Sequence, residues 1–297
     1  MKVGVIGGGA IGMLYAAYLG KNLDVTLYVR RSEQKNLINN IGIILQHQDT
    51  SETISIKAVE DYGDLPEQDL IIIAVKQYHL SELIKTLNKI PPDCPLLFLQ
   101  NGIGHMKLLE QLSHANLYVG TVEHGALKLS DNEVAHKGKG KTNAAVFRGN
   151  GKMLSKLSRA NIDFPVIIQS DYDLVLLEKL AVNAVINPLT AVLGIQNGRL
   201  VENEHFEHLA QSIFDEILLL YPRLNSIIDF EDIKEIASNT RGNTSSMLAD
   251  LQTKRETEVE AILGAMLEEA RSNDVSLSII PVLYEMVKGL DKERRKG

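Results

Sequence analysis

One cysteine in 297 residues excludes an internal disulfide and suits a reducing cytosol. Cys94 lies in Pro91-Pro92-Asp93-Cys94-Pro95, a loop sequence, and reads as incidental rather than nucleophilic. Positive charge is in short supply: 31 Lys and Arg stand against 38 Asp and Glu, giving a net charge of −7 and a pI near 5.7. That balance argues against general nucleic-acid binding. It leaves room for an anionic small ligand, because a local pair of arginines opposes the global sign. No apolar run approaches the length of a membrane span, so no membrane partner is expected. The first apolar stretch belongs to a glycine motif and does not read as a signal peptide. A cytoplasmic location follows as the expectation. Internal repeats and low-complexity segments are absent, and no metal site is expected. What remains is 44% hydrophobic and 23% charged, ordinary for a globular protein and long enough for two domains.

The chain opens Lys2-Val3-Gly4-Val5-Ile6-Gly7-Gly8-Gly9-Ala10-Ile11-Gly12, an apolar run feeding Gly-x-Gly-x-x-Gly. In this layout Gly7 makes the tight turn, Gly9 lets the backbone approach a pyrophosphate, and Gly12 lets the helix lie close to the strand. The helix start, with Ala10 and Ile11, offers free N–H groups and partial positive charge to that pyrophosphate. The motif alone is weak. Here it follows a β-type run, opens an Ala/Leu/Tyr-rich helical stretch, and is followed by a second strand at βαβ spacing. That second strand, Asp24 to Val29, ends in Arg30 and Arg31, where an acid would accept from a ribose 2′-hydroxyl. An arginine there favours a 2′-phosphate, so the reading is NADPH/NADP+ rather than NADH.

Strand-like runs at Lys2–Ile6, Asp24–Val29, Thr53–Ala58, Leu70–Val75, Leu96–Leu99 and Leu117–Val122 alternate with helical patterns at Ile11–Leu19, Ser32–Asn39, Leu80–Ile90 and Met106–Leu112. The alternation predicts an α/β, Rossmann-type N-terminal domain with a mostly parallel sheet. Ligands of such sheets bind beyond the carboxyl ends of the strands. Lys76 and Asn101 each follow such a run and fall on that edge. The plainer reading is a loop polar residue facing water. Glu133 to Phe147 reads as a glycine-punctuated hairpin added antiparallel to the sheet. From Tyr172 onward the texture is helical, with breaks near Asn187-Pro188, Asn197-Gly198, Tyr221-Pro222 and Arg241-Gly242-Asn243. The expected division is 1–167 for an NADP-binding Rossmann-like domain and 168–297 for an all-helical C-terminal substrate domain. The tail from Asp291 to Gly297 reads as a frayed, solvated end.

Lys179, Asn183 and Asn187 are spaced by four, so successive members lie about 40° apart on a helix and form one stripe. The plain reading is the wet face of an amphipathic helix. Asn, however, is a poor helix former, and wet faces are usually Lys, Glu, Gln or Arg. The pattern favours a closed polar cavity whose amides bind a substrate. Lys179 would there be an ammonium in restricted solvent, with a lowered pKa, able to donate a proton and stabilise an alkoxide. Asn197-Gly198 is a turn that brings the chain back toward the end of this helix. Apolar positions from Met247 to Leu267 outline a last long helix whose core stripe contains Glu258. A carboxylate there should be paired or bound to a ligand; the local alternative is a salt bridge with Lys254 or Arg255. Of Thr244-Ser245-Ser246, one hydroxyl reads as an N-cap and another, with free N–H groups, as a carboxylate holder.

Gly7-Gly8-Gly9-Ala10-Ile11-Gly12, Ala74-Val75-Lys76, Gln100-Asn101-Gly102-Ile103-Gly104, the run from Lys179 to Ala191, and Ser245-Ser246-Met247-Leu248 followed by Glu258 together resemble the ketopantoate reductase (2-dehydropantoate 2-reductase) family over essentially the whole chain. The resemblance implies NADPH-dependent reduction of 2-dehydropantoate to (R)-pantoate, on the route to pantothenate and coenzyme A. It implies Lys179 as proton donor, with Glu258 beside the reacting groups and the cofactor. Asn101 would contact cofactor and substrate, and Lys76 the cofactor. Asn183, Asn187 and Asn197 would be substrate amides, and Ser246 would hold the substrate carboxylate. Arg30 would read the 2′-phosphate, with Arg31 its rival for that contact because one position is missing before it. Glu123-His124-Gly125-Ala126 matches loosely and places Ala126 among the cofactor contacts. The resemblance also points to a homodimer paired through the helical half. Rival readings are a reductase of another branched 2-oxo acid, a dehydrogenase of a phosphorylated substrate, and a non-catalytic NADP(H) sensor. The phosphorylated substrate would want a basic cluster where this chain offers amides, and the sensor would have no use for Lys179.

Overall fold

The computed structural model describes residues 1–47 and 50–296. The chain divides into two units, one of Met1–Gln100 with Met106–Val175, the other of Asn101–His105 with Leu176–Gly297.

The first unit follows the alternating pattern of its sequence. In chain order it contains β1 (Lys2–Ile6), α1 (Ala10–Gly20), β2 (Asp24–Tyr28), α2 (Ser32–Ile41), β3 (Ile43–His47), β4 (Thr50–Ile54), β5 (Lys57–Val59), β6 (Leu70–Ile73), α3 (Leu80–Leu87), β7 (Leu96–Phe98), α4 (Met106–Leu109), β8 (Leu117–Val122), β9 (Gly125–Lys128), β10 (Glu133–Gly138), β11 (Thr142–Arg148), α5 (Lys152–Ser158) and β12 (Val166–Gln169). Eight strands form one sheet in the order β12-β11-β8-β7-β6-β1-β2-β5. All its pairs are parallel except β11 with β8. The central strands β1, β6 and β7 are continuous apolar runs buried on both faces, as a parallel sheet requires. From β1 the chain winds outward through β2 to β5, then crosses to β6 and winds the other way. The strand order therefore reverses between β1 and β6, whose carboxyl ends flank the place where such sheets take ligands.

A second sheet, β4-β3-β10-β9, has no counterpart in the sequence reading. It packs against α1, which meets β1 and β2 as well as β3, β9 and β10. Sheets on both sides explain why α1 is apolar all round, with Gly12 through Leu19 buried. The run Thr53–Ala58 is not one strand: β4 belongs to the second sheet and β5 to the edge of the first. The expected hairpin is also corrected. β10 pairs with β9 and β3, whereas β11 pairs with β8 and β12, so the glycine-rich link between them crosses from sheet to sheet. Glu123 N–H donating to Lys141 O at 2.9 Å commits the start of β11 to the end of β8. Cys94 is buried in its loop and donates to Gln68 O, and burial pushes its thiol up to about 11, which suits the inert reading.

α6 (Tyr172–Leu193) leads into the second unit, which continues with α7 (Arg199–Glu202), α8 (Glu204–Leu220), α9 (Phe230–Asn239), α10 (Ser246–Gln252), α11 (Ala265–Ser272) and α12 (Ile279–Lys296). No strand occurs here among the described residues. α6 is 22 residues long and apolar enough to cross a membrane, against the expectation that no segment would be; 83% of its apolar window is buried in the fold. It also runs through Pro188, where a break was expected. Proline there forfeits one N–H bond, while Thr190 Oγ1 donates to Ile186 O and Asn187 O around the same turn. Its apolar faces join Phe214, Ile217, Leu263, Met266, Ile280 and Val287 in one core. The buried Glu216 accepts from Ser278, Ile279 and Ile280 N–H at 2.6–3.0 Å, a carboxylate cap on α12. The expected last long helix is two. α10 ends at Gln252, Lys254 turns left-handed at φ 56°, and a π-helical turn at Glu260–Gly264 precedes α11. The tail is not a frayed end as expected: α12 continues to Lys296, and Asp291 is buried and accepts from Thr257 Oγ1 at 3.2 Å. Gly297 lies outside the described residues.

Candidate active site

The glycine turn follows β1 as its sequence requires. Gly7 has φ +120° and a Cβ there would lie 2.9 Å from Ala74 O, while a Cβ on Gly12 would lie 1.8 Å from Gly7 O, so the start of the helix rests against the carbonyl of the turn. A Cβ on Gly9 would meet nothing within 4 Å, which leaves open space where α1 begins. No side chain caps α1, and its first N–H groups face that opening without a side-chain acceptor. These residues fit a dinucleotide pyrophosphate. Gly8 is held differently: Gln34 Nε2 and Lys128 Nζ both donate to its carbonyl, at 2.9 and 3.0 Å.

Lys76 follows β6 on the same sheet edge. Gln100 holds the approach to it, donating to Ile73 O at 3.0 Å and Val75 O at 2.8 Å. At the end of β2 the two arginines differ. Arg31 pairs with Asp131, which also takes Lys128 at 3.1 Å. Burial alone would raise the Asp131 pKa, but Lys128 and Arg31 outweigh it and hold the carboxyl below its ordinary range. Arg30 makes no ion pair among the described residues and reaches His79 Nδ1 at 3.4 Å.

Ala126 lies in β9 opposite His136 of β10, just past the turn that carries His124. Gly140 N–H donates to His124 Nδ1 at 3.2 Å, so the proton of that neutral ring resides on Nε2. His136 Nε2, 3.2 Å from the same Nδ1, must then donate, and its own Nδ1 accepts from Tyr18 O–H at 2.6 Å. This tautomer assignment rests on the hydrogen-bond network. Phe164 stacks on both His124 and Tyr18, at 4.1 and 4.5 Å between centroids. Burial, with His136 adding to it, pushes His124 down to about 4.

In the second unit Asn183 and Asn187 are 7% and 8% exposed, so the stripe is not a wet face; Lys179 is half-buried. Asn187 Nδ2 reaches Ser246 Oγ at 3.4 Å. Ser245 is the N-cap of α10, its hydroxyl accepting from Leu248 N–H, and this leaves the exposed Ser246 hydroxyl to the stripe. Asn197 turns the other way: its Nδ2 donates to Thr240 Oγ1 at 3.0 Å, and its buried Oδ1 has no hydrogen-bond partner among the described residues. Asn101 Nδ2 donates to Glu258 Oε2 at 2.9 Å, while Arg255 is engaged by Asp250. Gly102, at φ +74°, lets this segment dock, since a Cβ would lie 2.0 Å from Ala261 O in the π-helical turn. Single π turns concentrate at functional sites.

A family model described as "Ketopantoate reductase PanE/ApbA" matches residues 3–149, and one described as "Ketopantoate reductase PanE/ApbA C terminal" matches 171–291. The chain belongs to the ketopantoate reductase family. It is 39% identical over 298 residues to the 2-dehydropantoate 2-reductase of Listeria innocua, covering 99% of this chain and 98% of that one. The crystal structure of a probable 2-dehydropantoate 2-reductase from Bacillus subtilis superposes with a TM-score of 0.86 at 35% identity, covering 98% of this chain and all of that one. A D-mandelate dehydrogenase solved with NADH and anilino(oxo)acetate shares the fold, with a TM-score of 0.88 at 20% identity over 99% of both chains.

Gln34 and Lys128 stand outside every sequence motif, because each acts on a backbone carbonyl, which leaves no residue-type signature. Gly102 belongs to a quoted motif, but its close approach to Ala261 is tertiary. His124, two residues past the end of β8, carries no role in the sequence motif that contains it, although a histidine at the carboxyl end of an apolar strand was a usable signal.

Proposed function

We propose that the chain reduces 2-dehydropantoate to (R)-pantoate with NADPH, in the supply of pantothenate and coenzyme A. One observation carries the reading: two poor helix formers, Asn183 and Asn187, are buried on the stripe that begins at Lys179, and Asn187 meets the Ser246 hydroxyl. Membership of the family supports the oxidoreductase class, and its relatives' designations support the substrate.

The glycine turn, Lys76 and Ala126 hold the dinucleotide, and Arg30, whose charge no carboxylate neutralises among the described residues, takes its 2′-phosphate. NADPH, when bound, supplies the hydride. Lys179 Nζ gives the proton that turns the ketone oxygen into a hydroxyl, and its charge stabilises that oxygen as negative charge develops. Asn183 and Asn187 donate amide hydrogens to substrate oxygens, and Asn197, whose buried amide oxygen has no partner among the described residues, is the third amide of this reading. Ser246 holds the carboxylate. Asn101 and Glu258, tied to each other, fix the remaining side of the reacting group.

The test is consumption of NADPH on adding 2-dehydropantoate, compared with NADH and with a panel of branched 2-oxo acids. NADPH and 2-dehydropantoate are expected to be preferred. Lys179→Ala is expected to lower kcat by about 10²-fold or more with little change in NADPH affinity. Near-normal turnover by that variant would remove Lys179 from the chemistry.

A further inference from the structure

The Gly8–Gly9 peptide is the softest point of the glycine turn. Neither residue has a Cβ, and rotation of this peptide would swing a carbonyl oxygen toward the phosphate-binding N–H groups. The fold does not leave that rotation free. Gln34, only 4% exposed, donates through Nε2 to Gly8 O at 2.9 Å and to Asp131 O at 2.9 Å, and it lies 3.6 Å from Met13 Sδ. Lys128 Nζ donates to the same Gly8 oxygen at 3.0 Å and is steadied by Asp131 Oδ1 at 3.1 Å. Gly8 is matched to this arrangement, since a Cβ there would lie 2.6 Å from Gln34 Oε1. Both acceptor directions of one carbonyl are thus occupied by donors from α2 and β9.

We propose that Gln34 and Lys128 are positioning residues for the dinucleotide: they clamp the Gly8 carbonyl, so that the N–H groups opening α1 are presented to the pyrophosphate before it arrives. The clamp acts on the part common to NADPH and NADH and lowers the ordering cost of binding. Asp131 links it to the arginine pair, because the carboxylate that steadies Lys128 also takes Arg31 and leaves Arg30 to the ribose end. The proposal rests on the reading of the glycine turn as a dinucleotide site.

The experiment measures equilibrium binding of NADPH and of NADH, together with kcat at saturating cofactor and thermal melting. Gln34→Met keeps side-chain volume and removes both donors. It is expected to weaken both dinucleotides by the same factor, about five- to tenfold, with kcat within about twofold of the parent and an unchanged melting temperature. Lys128→Met, on the partly exposed side of the clamp, is expected to do the same, and its factor should persist at raised salt, where a through-space effect of the charge would fade. Parental binding of both dinucleotides by the two variants overturns the clamp alone. So does a joint fall in melting temperature and kcat without a binding change, which marks a purely structural role. A parent chain that binds neither dinucleotide overturns the functional reading and the clamp together.

Discussion

Gly102→Ala is the sharpest probe of the Asn101–Glu258 pair, because it touches neither side chain. Two costs can be read from the structure. The backbone at Gly102 has φ +74°, where a residue with a Cβ is disfavoured by about 1–2 kcal/mol. The added Cβ would also lie 2.0 Å from Ala261 O and 2.7 Å from Ala261 C, both backbone atoms that cannot swing aside. Clearing that overlap requires the segment to retreat by about 1 Å, and a displacement of that size in a positioned group costs about 10²-fold in rate. The Asn101 amide, now 2.9 Å from Glu258, moves with it. Expected are a loss of about 1–3 kcal/mol of stability and a fall in kcat/KM of about 10²-fold. The assay is steady-state NADPH oxidation beside urea unfolding, run in a double-mutant cycle with Asn101→Ala. If the damage passes through Asn101, Gly102→Ala adds little to the activity loss in the Asn101→Ala background. Full additivity, or wild-type kinetics for Gly102→Ala alone, would refute the docking argument.

Arg30→Ala should weaken NADPH by about tenfold or more and leave NADH nearly unchanged, whereas Arg31→Ala, whose charge is already engaged by Asp131, should change the NADPH/NADH ratio far less; titrations of both dinucleotides decide it. Acid should destabilise the fold through buried neutral histidines. Burial holds His105 and His124 down near 4 and also lowers His136, so an unfolded chain takes up protons below about 6.5 that the folded chain refuses. Stability is therefore full above pH 6.5 and falls as the pH drops toward 4, a window above that of the carboxyls with lowered pKa; a melting temperature flat from pH 6.5 to 4.5 would contradict it. Glu216→Ala should cost about 2–4 kcal/mol in urea unfolding, because three N–H groups at the start of α12 lose one charged acceptor, and Glu216→Gln about half as much.

How far the fold was legible depended on whether the deciding interaction was local. Strands β6 and β7 are unbroken apolar runs and β1 is apolar after Lys2, and parallel central strands have little choice but to read so. The second sheet was invisible for the opposite reason. β4 is Thr50-Ser51-Glu52-Thr53-Ile54, mostly exposed, and it is a strand only because β3 lies beside it. The hairpin reading took closeness in sequence for pairing. Two strands flank a glycine-rich link, but each finds its partner elsewhere, and Gly140 is drawn to the end of β8, where a Cβ would lie 2.5 Å from Glu123 O. The long-helix reading failed because periodicity is blind to phase. Met247, Leu248 and Leu251 before the break, and Val259, Ile262, Leu263 and Met266 after it, all face the same core, so the apolar spacing looks continuous across a left-handed Lys254.

The same distinction governs the site. Lys179, Asn183 and Asn187 were legible as a set because one helix carries them and its geometry fixes their common face. That Asn187 meets Ser246, 59 positions away, and Asn101 meets Glu258, 157 positions away, is tertiary, and no spacing rule reaches it. Propensity still gave a usable hint, since asparagines placed against helix preference need a compensating return, and both Asn183 and Asn187 are buried. Gln34 and Lys128 had no such signal. Each is a common surface residue type in an unremarkable helix or strand, and each acquires its meaning from a glycine carbonyl that every sequence contains in abundance. Residues of this kind are where single-sequence reasoning is physically bound to stop. Their chemistry is that of the backbone they hold, so mutations there should change ligand affinity while leaving the reacting side chains untouched.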